Sequence, residues 1–502
     1  MLELVDNLAL GFSVAFSLQN ILLCFIGCLV GTLIGVLPGI GPLATMAILL
    51  PITYKADPTG SLIMLAGIYY GAQYGGSTTA ILVNMPGEAS SVVTTLDGHA
   101  MARQGRAGKA LGIAAIGSFI AGTFATLVIA AIAIPLARVA LSFGSSDYFA
   151  LMLLGLVLAI VLAGGSLLRA FGMLVLGVLM STVGFDGVTG QSRLTFGVPA
   201  LANGLDMAIV AMGLFGIAEI LRNVELRENR PVVEAQVGRL LPDRTDMRQS
   251  AAPIARGSIL GSILGVLPGN GAILAPFASY ALEKRVARDP SRFGKGAIEG
   301  VAGPESANNS AAQSAFIPLL TLGLPATASM ALMGGAMTLH GVLPGPKVIE
   351  LHPDLFWGMI TSMWIGNVML VVINLPLLGI WVRLLRVPYR LLFPSIVLIC
   401  CVGMFSVAQS PAHVMQIAIF GIIGYLFFKL RLEPTPLLLG FVLGALMESN
   451  LHRGLVLARG NVVTFLSSPL TLTLLAVAAI VLVIATVPAL SRRRTELLVA
   501  DD

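Results

Sequence analysis

Charged side chains are scarce in this sequence, at 11% of 502 residues, while 56% of residues are hydrophobic and the mean hydropathy is +0.91. A chain of this length folded in water needs more polar surface than that, so a soluble globule is excluded and lipid must solvate much of the molecule. Cysteine is scarce too. Cys24 and Cys28 lie one helical turn apart, Cys400 and Cys401 are adjacent, and all four sit in apolar runs with no histidine or carboxylate nearby, which argues for packing thiols and against a metal site. The five histidines are scattered, and neither a G-x-x-x-x-G-K phosphate loop nor a G-x-S-x-G nucleophile elbow occurs, so nothing argues for catalysis. The start, "MLELVDN", lacks the basic residues of a secretory leader. The first apolar run is therefore expected to be a retained membrane segment with no soluble domain before it.

What is abundant is apolar length. Runs such as "ALGIAAIGSFIAGTFATLVIAAIAIPLA" (Ala110 to Ala137) and "TLTLLAVAAIVLVIATVPAL" (Thr471 to Leu490) recur along the chain. They predict an all-α integral membrane protein with about 10–12 transmembrane segments. The net charge of +5 falls in short loops, the positive-inside pattern rather than a nucleic-acid surface. The loops around Arg103, Arg106 and Lys109, the segment 222–256, the stretch Lys284 to Lys295, the stretch Arg383 to Arg390, and the tail with Arg492 to Arg494 are expected in the cytoplasm. The nearly uncharged turn Ala408 to His413 is expected outside.

Within this apolar chain, "GVLPGIG" (Gly35 to Gly41) returns as "GVLPGNG" (Gly265 to Gly271). Further matches follow in the same order. "ILVNMPGEASS" and "LDGH" come after the first, and "LLTLGLPATAS" and "LHGV" after the second. Pro38 to Pro86 spans 48 positions and Pro268 to Pro325 spans 57. In the first copy the link between breaks is nearly neutral and the exit is basic; in the second the link is basic and the exit acidic. A basic side that changes place is what two similar units inserted in opposite directions would produce. The expected organisation is one polytopic domain over 1–502: a first half 8–221 with motifs at 31–109, a cytoplasmic loop 222–256, a second half 257–490 with motifs at 257–347, and a cytoplasmic tail 491–502.

Irregular backbone at membrane depth survives only when buried in protein or lining a watery cavity. Pro38 and Pro268 each remove a helical hydrogen bond, and Gly39, Gly41, Gly269 and Gly271 let the chain turn and let another group approach it. The second motifs supply Asn84, Pro86 and Gly87 in one copy, and Gly323 and Pro325 in the other. Half-helix N-termini at such breaks carry partial positive charge and bind anions without a buried lysine or arginine. Ser77 and Thr78 in "YGGSTTAILVN", and Asn308 and Asn309 in "ESANNSAAQS", are the expected hydrogen bonders for substrate carboxylates. A single Ser or Thr is ordinarily interhelical glue, but two adjacent amides before an apolar run are harder to explain that way. A charge at mid-membrane costs roughly 3 kcal/mol, so Glu88 and Glu305, beside the breaks, are the candidates for cation or proton coupling, with Asn308 as a further ligand. Glu219 is expected to pair with Arg222 at the interface, and Glu448 with His452 or Arg453 one turn on. These features favour a secondary transporter. A membrane enzyme would need an acid–base pair at a polar cleft, and a channel a repeated pore lining.

The stretches "GVLPGIGP", "IYYGAQYGGSTTAILVNMPGEASSVVTTLDGHAMARQGRAGKAL", "GSILGVLPGNG" and "SANNSAAQSAFIPLLTLGLPATASMALMGGAMTLHGVLPGP" resemble the large membrane subunit of the bacterial tripartite tricarboxylate transporters, a likeness that runs over most of the chain. The resemblance implies secondary, cation-driven (Na⁺ or H⁺) uptake of carboxylates across the bacterial inner membrane, with no cofactor beyond the coupling ion. It also implies two partners, a small four-helix membrane subunit and a periplasmic solute-binding protein. The family's paired motifs fall on Gly35 to Pro42 and Gly265 to Gly271, and its second motifs on Asn84 to Glu88 and Gly323 to Ala326. One departure is Pro325-Ala326 where Pro-Gly is usual, so tight turning there rests on Gly323, and the β-carbon is expected to make that tip less open to backbone contact.

Overall fold

The computed structural model describes residues 2–37, 41–53, 56–163, 166–186, 189–225, 240–269, 271–384, 394, 397–398, 400–405 and 410–486. In lipid each backbone polar group must be satisfied within its own segment, so an apolar chain becomes helix. The described residues are almost entirely helical, and the one β-ribbon among them pairs Gly184–Phe185 with Ser192–Arg193 antiparallel. The chain is an all-α membrane protein. Among the described residues seven helices are long and apolar enough to cross a bilayer: Leu18–Gly35, Ala107–Leu141, Ser145–Leu162, Met207–Glu225, Pro353–Asn374, Pro411–Lys429 and Pro469–Thr486.

The centre is built from two helix pairs of the same design. Leu18–Gly35 lies on Pro58–Val83 through Gly27, Gly31 and Gly35, where an added Cβ would sit 2.3, 2.3 and 2.5 Å from the carbonyl oxygens of Met64, Ile68 and Ala72. Arg244–Gly265 lies on Glu299–Ser314 through Gly257, Gly261 and Gly265, where a Cβ would sit 2.3 Å from the carbonyl oxygens of Gly303, Ala307 and Ala311. Small residues every four positions let backbones approach where lipid offers no hydrophobic drive to pack. The glycines of the two ladders are 230 positions apart and the carbonyls they meet are 239 apart, the difference being the longer link of the second copy.

The most polar of these helices is the most enclosed. Every residue from Gly300 to Ser314 is buried, the glutamate, two asparagines and glutamine included. Thr126 donates to Gln313 Oε1 at 2.6 Å, and Gln313 Nε2 donates to Asn367 Oδ1 at 3.1 Å.

Three of the basic segments meet on one face. Gln104 donates to the Lys295 carbonyl and Arg106 to the Gly296 carbonyl, both at 2.8 Å. Lys109 lies 2.7 Å from Asp243 and 2.8 Å from Asp246, and its hydrogen bond holds the Asp243 carboxyl down at about 2. Asp97, fully buried, accepts from the N–H groups of Gly296 and Ala297 at 2.7 Å, of Gly294 at 3.1 Å, and from the Tyr280 hydroxyl at 2.9 Å. The exit of the first copy thus clasps the link of the second. In the link of the first copy, Asp57 caps Pro58–Val83 by accepting from Gly60 N–H at 2.8 Å. It lies close enough to His340, in the exit of the second copy, for its charge to oppose the lowering of that imidazole's pKa by burial. Lys55, Arg390, the turn residues 406–409, most of the segment between Glu225 and Leu240, and the tail 491–502 lie outside the described residues.

Candidate functional site

In the first copy Leu18–Gly35 runs out at a turn, and helix resumes as Pro42–Thr53, whose leading proline lacks an N–H where none is needed. Pro38 and Gly39 lie outside the described residues. Pro58–Val83 then ends on Asn84 in the left-handed region, at φ 56°, and Gly87 is packed so closely that a Cβ would sit 2.4 Å from Gly76 Cα and 2.7 Å from the Gly35 oxygen. In the second copy Phe316–Leu322 ends on Gly323, also left-handed at φ 72°, and Thr327 caps Ala328–Leu339 by accepting from Met330 N–H at 3.1 Å. Asn84 and Gly323 are 239 positions apart, as are Glu88 and Thr327, so one turn is built twice from different letters. Tight turning does rest on Gly323. The Ala326 carbonyl accepts from Gly269 N–H at 2.8 Å. A side chain leaves the carbonyl free, and the bond ties the two breaks of that copy together.

All four breaks border one cavity of about 590 Å³. Its lining includes Gly41 to Leu43, Ala272 and Ile273, Thr327 to Ser329, and Thr435, the first turns or leading residues of the helices Pro42–Thr53, Gly271–Val286, Ala328–Leu339 and Thr435–Leu457. Helix N-termini present N–H groups and positive partial charge, so four of them around one cavity favour an anion.

The structure divides the predicted residues. Gly41, Asn84, Pro86, Gly87, Glu88, Gly269 and Asn308 line this cavity, and Asn308 Nδ2 donates to Glu88 Oε1 at 3.3 Å. Ser77, Thr78 and Glu305 lie instead around a separate hole of about 20 Å³. There Ser77 donates to Glu305 Oε2 at 2.5 Å, and Thr94 donates to Oε1. Asn309 donates to the Ser118 hydroxyl at 2.6 Å and to the Glu305 carbonyl at 3.1 Å. Pro268, Gly271, Gly323 and Pro325 shape the turns without lining the cavity: Gly271 backs onto the Leu264 oxygen and Gly323 onto the Pro344 oxygen.

Other expectations are corrected. Glu448 pairs with Arg193 at 2.5 Å, because the β-ribbon comes over it, rather than with its helix neighbours His452 and Arg453. Glu219 and Arg222 do pair, at 3.3 Å, but they line the cavity together with Asn223, so the site is not free of basic side chains. Tyr69, Gln73, Ser329 and Thr435 also line it and were not singled out from sequence. Thr327 could have been found as the counterpart of Glu88, and Thr435-Pro436 carries a helix-start signal. No letter pattern marks Tyr69, Gln73 or the turn of Arg222 toward the cavity. Among the described residues no group of three His, Cys, Asp or Glu stands close enough to hold a metal ion.

A family model described as the tripartite tricarboxylate transporter TctA family matches residues 21–439. The chain belongs to this family. As a TctA-family protein it is a multi-pass membrane subunit of a tripartite tricarboxylate transporter. It is similar to a 52.8 kDa protein in the TAR-I ttuC' 3' region of Agrobacterium vitis, at 55% identity over the full length of both chains. It is also similar to a protein in the TAR-II ttuC' 3' region of Agrobacterium vitis, at 52% identity over 48% of this chain and all of that one. No solved structure matches.

Proposed function

We propose that this chain is the permease subunit of a binding-protein-dependent secondary transporter, taking up tricarboxylates or related carboxylates across the bacterial inner membrane by cation coupling. It would work with a small four-helix membrane subunit and a periplasmic solute-binding protein. The observation that carries this reading is the single cavity bordered by all four breaks and by the first turns of four helices. Asn84, the backbone of Gly41, Gly87 and Gly269, and Asn308 are the groups that would meet the substrate there. The two half-chains, 8–221 and 257–490, would be inverted repeats; in support, the basic exit of one contacts the basic link of the other. Two carboxylates suit the coupling ion. Glu88 shares the cavity and is bonded by Asn308, while Glu305, 1% exposed, is held by hydroxyls and has no basic partner among the described residues. A buried carboxylate without a counter-charge takes a proton or a cation.

The test is uptake into membrane vesicles carrying the chain with its two partners, using labelled citrate, tricarballylate and succinate while a sodium or a pH gradient is imposed in turn. Gradient-dependent accumulation of at least one of these is expected. Accumulation of none, with all three proteins present, would refute the reading.

A further inference from the structure

Resting on that transport reading, we propose that Arg222 is the residue that binds a substrate carboxylate in the cavity, and that Glu219 occupies its guanidinium until the substrate arrives. Arg222 stands in the last turn of Met207–Glu225, and among the described residues lining the cavity it is the only basic one. The other charged groups on the wall are Glu88 and Glu219. With both ionised the side chains of the wall sum to a net negative charge, so beside the helix N-termini the one cation there is the side chain a polycarboxylate would take as its direct partner.

The geometry of the pair fits exchange. Arg256 grips Glu283 fork to fork, with Nε 2.8 Å and Nη2 2.5 Å from the two oxygens, and Arg193 grips Glu448 with Nη1 at 2.5 Å and Nη2 at 3.2 Å. Those are closed, bidentate contacts. Arg222 touches Glu219 through Nη1 alone at 3.3 Å, longer than a charge-assisted hydrogen bond usually runs, and its buried Nε has no partner. The guanidinium carbon lies 4.4 Å from the centre of the Phe428 ring. Stacking fixes the plane of the group and uses its face, leaving the donating edge for a carboxylate fork. Arg193 also has a buried Nε without a partner, so the long one-point contact and the place on the cavity wall are what set Arg222 apart.

The experiment measures equilibrium binding of labelled citrate, tricarballylate and succinate to the detergent-purified complex with its small membrane subunit. For whichever probe the wild type binds, Arg222→Gln is expected to raise Kd about tenfold or more, and Arg222→Lys to fall between, since it keeps charge and loses the fork. Glu219→Gln, which removes the competitor, should leave Kd unchanged or lower it. Arg138→Gln, at an exposed pair with Glu3, serves as the control. A Kd for Arg222→Gln equal to wild type, or a Glu219→Gln variant weakened as much as Arg222→Gln, would overturn the assignment while leaving the transport reading intact. Should Arg222→Gln fail to accumulate in the membrane, the question is decided by Arg222→Lys, expected to raise Kd, against Glu219→Gln, expected not to raise it. A wild-type complex that neither binds nor takes up any of the probes overturns both readings.

Discussion

Asn308 and Asn309 are neighbours in sequence and part company in space. A step of one residue on a helix turns the side chain by about 100°. That step aims one amide at the cavity and Glu88, and the other at Ser118 and the backbone of its own helix. The letters present them as equals, since each is an amide ahead of an apolar run, and only packing says which faces water. Their variants should therefore differ. Asn308→Leu keeps bulk but removes the donor to Glu88, and uptake per inserted molecule is expected to fall below about a tenth of wild type with membrane levels unchanged, an interaction used in transport being lost rather than one used in packing. Asn309→Leu leaves the Ser118 hydroxyl without its buried partner, a loss of roughly 1–3 kcal/mol that should appear first as a lower melting temperature. Uptake assays normalised to inserted protein, together with melting curves of the purified variants, separate the two. The reverse pattern would mean that Asn309 belongs to the site and Asn308 to the scaffold.

At the scale of elements, the positions where helices stop were legible because proline and glycine have few other uses in an apolar run. The equivalence of the two copies was legible for the same reason, the order of breaks being preserved although Glu88 is replaced by Thr327 and Asn84 by Gly323. What the letters did not disclose is how the long helices between breaks rotate. Pro58–Val83 carries Gln73 on the cavity, and Ser77 and Thr78 on the small hole with Glu305, and nothing in the spacing says which of these faces opens. The rotation is set by the glycine ladders, since backbones that touch at Gly31 and Ile68, or at Gly261 and Ala307, permit one azimuth only. Gly31→Ala and Gly261→Ala each place a methyl 2.3 Å from a carbonyl oxygen, which must be relieved by parting the helices, a strain of roughly 1–3 kcal/mol. Both are expected to lower the melting temperature of the purified protein and to reduce uptake, by similar amounts in the two copies. Gly172→Ala, where a Cβ would meet nothing within 4 Å, should do neither. A ladder variant that melts with wild type would show that the pair does not fix the rotation.

For the whole molecule the decisive feature is which segments share a face. Loop charge alone suggested that the exit of the first copy and the link of the second lie on one side, and their contacts through Asp97, Arg106 and Lys295 place them together. Asp57 and His340, from the link of the first copy and the exit of the second, lie within electrostatic reach of each other. Opposite insertion of two similar units generates that exchange without further assumption, whereas insertion in the same direction would put both links on one side and both exits on the other. On the proposed inverted arrangement, the side holding Arg103, Arg106, Lys109, Arg256, Lys284, Arg285, Arg288, Arg292 and Lys295 would be the cytoplasmic one. The side holding Asp57, Glu350 and Asp354 would then face the periplasm. Of the native thiols Cys24, Cys28 and Cys400 are buried, so a Cys401→Ser background leaves little to react. On that background Lys347→Cys, exposed in the exit of the second copy, should be labelled by a membrane-impermeant maleimide in intact cells. Ser291→Cys, exposed in the link of the second copy, should react only after the membrane is permeabilised. Labelling of both from outside would put that link and that exit on one side of the membrane and defeat the inverted arrangement, while labelling of Ser291→Cys alone would keep the arrangement and reverse the orientation.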